Sequence, residues 1–190
     1  MPKQDLSADT LVGRIARFDH LEVVASQAGH GLPQDVADLI WARKLLPVVT
    51  RADAAGGPFG AKAPIVGAGD MSITYAVTPP GTGPTLHAHR KTFETFTVMR
   101  GRFEFSVGDE GEEKVVLEPL DVVSVPPGVH RAFKNVSDEE GVLQVIITGG
   151  VHDQDDVFFP ATTAARIADK DPKYLDYFKS IGLHFANDSR

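Results

Sequence analysis

"GTGPTLHAHRKTFETFTVMRG", residues 81–101, is the stretch from which this chain is best read. It sets His87 and His89 on alternate positions, follows them with Glu94, and carries a glycine at each end. In an extended segment alternate side chains share a face, so the two imidazoles point the same way. "RKT" at 90–92 allows a tight reversal. On the strand that follows, Phe96 and Val98 must face an interior, and Glu94 is in phase with them. A buried carboxylate beside two imidazoles is costly unless one ring is protonated or a cation sits among them. A divalent ion removes that cost, and two histidines with one carboxylate suit iron, manganese, nickel or zinc.

Outward from this stretch, residues from Met71 to about Gly149 run as short segments rich in Val, Ile, Phe and Thr, broken by "PPGTGP", "MRGR", "GDEGEE" and "PPG". Turns at that frequency leave no room for crossover helices, so the strands are antiparallel in a sandwich or closed barrel. Phe93, Phe103 and Phe105 are expected in its core. Upstream, Leu11, Ile15 and Phe18, then Val36, Leu39 and Ile40, fall at helical spacing, and Pro47 is expected to stop the second helix. Residues 50–70 read as loop with one short strand. Downstream, "HDQDD" at 152–156 reads as a solvated turn. Asp171 can then cap a helix that begins at Pro172, carries Tyr174, Phe178 and Ile181 on one face, and ends at Gly182. The expected layout is a helical extension over 1–50, a β-barrel over 51–158 and a helical segment over 159–190.

With the barrel pattern in place, residues 81–101 resemble the first signature of the cupin superfamily, G-x5-H-x-H-x4-E-x6-G. Gly81, His87, His89, Glu94 and Gly101 fill every fixed position. The resemblance covers roughly residues 70–150. It implies a mainly β fold, a double-stranded β-helix or jelly-roll barrel, with flanking N- and C-terminal helices and a cavity able to hold a metal.

The second cupin signature, G-x5-P-x-G-x2-H-x3-N, has its counterpart in "LDVVSVPPGVHRAFKN" at 120–135. Pro126, Gly128 and Asn135 match, Leu120 replaces the usual glycine, and Arg131 stands where the fourth ligand, a histidine, is usual. His130 lies one residue early. Alternation favours Arg131 inside, because Phe133 then accompanies it and Lys134 is solvated. A bulge after "PPG" would instead turn His130 toward the cavity as a further ligand. An inward Arg131 either grips the anion of a substrate or pairs with Glu94.

At 190 residues the chain is long enough for one well-buried domain. A formal charge of −7, with its basic residues scattered, argues against nucleic acid. There is no cysteine, so any metal site uses histidine and carboxylate. No signal-like or membrane-spanning run is seen, which gives a cytoplasmic expectation and no membrane partner. The remaining histidines, His20, His30, His152 and His184, read as surface or satisfied residues.

Three functions follow from this reading and the resemblance. The first is a metal-dependent oxidoreductase of the dioxygenase kind, in which His87, His89 and Glu94 hold the ion, Glu94 and Arg131 act at the reacting centre, and the substrate is a small organic molecule, an anion where Arg131 grips it. The second is a non-catalytic cupin that binds or senses a small ligand. The third is an isomerase or epimerase, with Tyr75 as the one tyrosine of the β-region able to serve as an acid. A homodimer is expected by family analogy.

Overall fold

The computed structural model describes residues 11–24, 31–54, 62–150 and 155–186. Among the described residues, twelve strands and three complete α-helices follow one another. The strands are β1 (Lys44–Thr50), β2 (Ile65–Val66), β3 (Met71–Thr78), β4 (Ala88–His89), β5 (Phe93–Arg100), β6 (Phe103–Val107), β7 (Glu113–Leu117), β8 (Val122–Val125), β9 (Arg131–Asn135), β10 (Gly141–Thr148), β11 (Val157–Phe159) and β12 (His184–Phe185). The helices are α1 (Gln34–Ala37), α2 (Ala161–Ala168) and α3 (Pro172–Ser180).

One sheet runs β2-β1-β3-β10-β5-β8. Two smaller sheets, β7-β6-β9 and β12-β11-β4, are joined by a bridge between His87 and Arg131, whose backbones exchange hydrogen bonds of 3.0 and 2.9 Å. The two layers form a double-stranded β-helix around an aromatic core. Phe96, Phe103, Phe105 and Phe133 are buried there, with Phe96 and Phe105 centroids 5.0 Å apart and Phe96 and Phe133 5.5 Å apart. Each such ring contributes roughly 1.5–3 kcal/mol by leaving water. Phe93 is not part of this core: it is 45% exposed, on the opposite phase of β5 from Glu94, Phe96 and Val98.

The helical reading of 1–50 fails at its end, since Lys44–Thr50 form β1 within the large sheet. Leu46, Val48 and Val49 are all buried, so both faces of the strand are covered and no alternation marks it as a strand. Pro47, expected as a helix stop, sits where the β1–β3 register shifts, a position that tolerates the missing N–H. Of the upstream helical residues, Gln34–Ala37 are α-helical, while Phe18–His20 form a single 3-10 turn that sets Phe18 edge-on to Tyr75, centroids 5.5 Å apart. Residues 1–10 lie outside the described residues.

Downstream, α3 forms as its sequence dictates: the Asp171 side chain accepts from the Lys173 N–H, Pro172 opens the first turn, and Gly182 follows at φ +92°. Phe178 and Ile167 bury against Val36, Ile40, Phe159 and Phe185, forming a second core that packs the flanking segments together. Among the described residues no helix is long and apolar enough to cross a membrane.

Candidate metal centre

His89 lies in β4, His87 just before it, and Glu94 near the start of β5. The chain reverses at 90–92 as its sequence suggests, but it passes from one layer to the other. β4 pairs with β11, and β5 pairs with β10 and β8. The histidines and the glutamate therefore meet across the barrel, and all three are buried. Their nitrogen and oxygen atoms lie within 4.8 Å of one another. His87 Nε2 is 3.9 Å and His89 Nε2 3.6 Å from the same oxygen, Glu94 Oε2.

Both rings are oriented from behind. His87 Nδ1 is 2.9 Å from the carbonyl of Thr85, which can only accept, so Nδ1 carries the proton. His89 Nδ1 is 2.8 Å from Thr92 Oγ1, and that hydroxyl donates its single hydrogen to Asp156 Oδ2, so Nδ1 donates here too. Asp156 also accepts from the Lys91 N–H at 2.8 Å. In the neutral rings the lone pairs of both Nε2 atoms then face one carboxylate. Such donors around a common ion, at about 2.0–2.2 Å each, stand roughly 3.0–3.5 Å apart. The two histidine–glutamate spacings, 3.9 and 3.6 Å, exceed that range by a few tenths of an ångström, and second-partner support of this kind is what orients metal-binding histidines.

The strand that carries the histidines is tied to the flanking segments on both sides. Thr85 donates to the Leu39 carbonyl through its N–H at 2.8 Å and its hydroxyl at 2.6 Å. Thr163, in α2, donates its hydroxyl to the Leu86 carbonyl at 2.9 Å.

Arg131 is the inward residue of the second stretch. Directly opposed residues of an antiparallel pair share a face, and Arg131 is opposed to His87, so both side chains enter the barrel. The guanidinium is fully buried. Its Nε donates to Glu94 Oε2 at 2.9 Å and its Nη1 to the Val129 carbonyl at 3.1 Å, while Nη2 has no hydrogen-bond partner. His130 stands apart from the three-residue group. Its ring packs edge-on to Phe158 with centroids 5.4 Å apart, and its Nδ1 is 3.6 Å from Asp109. No bulge turns it inward, because Arg131, Phe133 and Asn135 keep strict alternation along β9.

Beside His87, His89 and Glu94 opens a cavity of about 110 Å³. Neither Arg131 nor Tyr75 lines it; Tyr75 is on the outer phase of β3, against Phe18. The structure thus gives the guanidinium to Glu94 and sets Tyr75, the acid named for the epimerase reading, outside the cavity. His20 is exposed and His184 Nε2 lies 3.1 Å from Asp155, whereas His30 and His152 fall outside the described residues.

Residues 74–147 match the family model described as "Cupin domain". That segment is a cupin domain. Three solved structures similar to it are the cupin domain of Cnp3 from Schizosaccharomyces pombe, KdgF from Halomonas sp. and a predicted oxalate decarboxylase from Thermotoga maritima. The first shares 17% identity over 44% of this chain and 58% of its own, at a TM-score of 0.40. The second shares 18% over 43% and 72%, at 0.40, and the third 20% over 42% and 66%, at 0.39. No curated protein matches the chain in sequence.

Sequence reasoning missed Thr85, Thr92 and Asp156. The "HDQDD" turn was expected in solvent, yet Asp156 is fully buried beneath His89; Asp155 is exposed, and 152–154 lie outside the described residues. The one available signal was Asp156 leading directly into the apolar "VFF" of β11.

Proposed function

We propose that this protein is a metal-dependent cupin enzyme of the dioxygenase kind, acting on a small organic substrate. The observation that carries the reading is the convergence of two Nε2 lone pairs and a carboxylate oxygen, both rings fixed in the matching tautomer by Thr85 and by Thr92 with Asp156. When bound, a redox-capable divalent ion held by two histidines and one carboxylate supplies open positions for oxygen chemistry. The chain's own residues hold the ligands in place, offset the charge of Glu94 through Arg131, and exclude water with an apolar wall. In a dioxygenase both oxygen atoms enter the substrate, which supplies the electrons, so no external reductant is required.

Protein purified without chelator is expected to carry stoichiometric divalent metal, and His87→Ala to carry none even after loading. Oxygen uptake with candidate substrates should follow the metal content. Equal metal in wild type and variant sinks the reading. A second reading, a non-catalytic ligand-binding cupin, draws support from the Arg131–Glu94 pair, which satisfies the carboxylate with no ion present. Full metal occupancy without oxygen uptake on any substrate that binds would favour it.

A further inference from the structure

The cavity has one polar end and no other. His87, His89 and Glu94 form that end. Among the remaining side chains of its wall, only the Thr74 hydroxyl and the Trp41 indole N–H can hydrogen-bond. The inner wall comes from the barrel, with Ala76, Phe96 and Ile147 among its residues. The outer wall comes from segments beyond the cupin match: Trp41, Ala42 and Leu45 before it, Phe159 and Leu183 after it. Among the described residues no lysine or arginine lines the space, and Arg131 is already engaged with Glu94 and Val129. A polyanion entering here would give up its water for a single charged contact at the ion, whereas an apolar body gains by the same transfer. Size sets a second limit. An apolar cavity of about 150 Å³ takes one benzene ring, so about 110 Å³ sets one small ring as the upper limit for the apolar part of a ligand.

We infer that the cavity takes a small, predominantly apolar organic ligand of single-ring size, one donor oxygen directed at His87, His89 and Glu94, and that the flanking segments set its shape. The inference rests on the proposed metal centre only for the direction of that oxygen.

The test uses the full chain, metal-free and zinc-loaded, titrated with phenol and separately with oxalate. Emission from Trp41, the single tryptophan, is the readout. Phenol should change that emission saturably even in metal-free protein, and oxalate should not. Ala42→Phe, which fills the space, should weaken phenol at least tenfold. Leu183→Ala, which enlarges it from the other side and guards against a misfolded first variant, should shift preference from phenol toward naphthol by a similar factor. Phenol binding that is absent, or indifferent to both substitutions, overturns the inference. Oxalate binding by zinc-loaded protein with no phenol response overturns it while leaving the metal centre intact. Phenol binding by a protein that takes up no ion upholds it and removes the metal centre instead.

Discussion

The stretches 81–101 and 120–135 have kept opposite halves of the cupin pattern. The first preserves side chains: His87, His89 and Glu94 converge as a group that could hold an ion. The second preserves backbone. Leu120 occupies a glycine position yet adopts φ +77°, the left-handed conformation glycine would supply, and Asn135 still bonds the Thr78 and Glu139 carbonyls at 2.8 and 2.7 Å. In place of a fourth ligand, the second stretch contributes a buried cation against Glu94. A metal site depends on donor chemistry at each position, while a turn needs only its dihedral angles, which another residue can adopt at modest cost.

The largest effect that would test this contrast is at Arg131. Removing one partner of a buried pair leaves the other charge uncompensated, so Arg131→Ala should destabilise metal-free protein by about 3–5 kcal/mol in denaturant unfolding. Zinc should recover part of the loss by pairing Glu94 instead. Unchanged stability would break the contrast, since the guanidinium would then not be serving the carboxylate. Arg131→His would sharpen it from the other side: metal affinity should rise while metal-free stability falls.

Next in size is the support behind the first stretch. Asp156→Asn removes the carboxylate that holds Thr92 and, through it, His89, and should weaken metal affinity roughly 10–100-fold in competition with a chelating dye. An affinity equal to wild type would mean that the ring is held by packing alone. The smallest effect is at Leu120. A leucine in the left-handed region costs about 1–2 kcal/mol, and this one is 77% exposed, so little packing is lost on its removal. After the chain-entropy cost of glycine, Leu120→Gly should stabilise by about 1 kcal/mol, or roughly 2–4 °C in Tm for a chain of this length. A lower Tm would show that the turn is shaped by the leucine side chain and not merely tolerant of it.

The sequence made the barrel legible where each strand has one wet and one dry face. Glu94, Phe96 and Val98 are buried as their alternation requires, and Arg131, Phe133 and Asn135 likewise resolve which residue of the second stretch points inward. The His87, His89 and Glu94 group was legible because its spacing is local. β1 was not, since a strand covered on both faces loses its period and Pro47 imitates a helix terminus. Phe93 misled for the converse reason, an aromatic on the outer phase of a strand whose inner phase is apolar. The supporting shell and the cavity wall were hidden by distance along the chain: Asp156 lies 64 positions from Thr92, and Leu39 lies 46 from Thr85. No periodicity encodes such partners.

The tethers from Leu39 to Thr85 and from Thr163 to Leu86 have a practical bearing on any attempt to shorten the molecule. Trimmed to residues 74–147, the chain would retain His87, His89 and Glu94 but lose both handholds on the strand that presents the histidines, Leu39 on one side and Thr163 on the other. A minimal version built for transplantation into another scaffold should therefore bring residues 39 and 163 along, or replace what they grip.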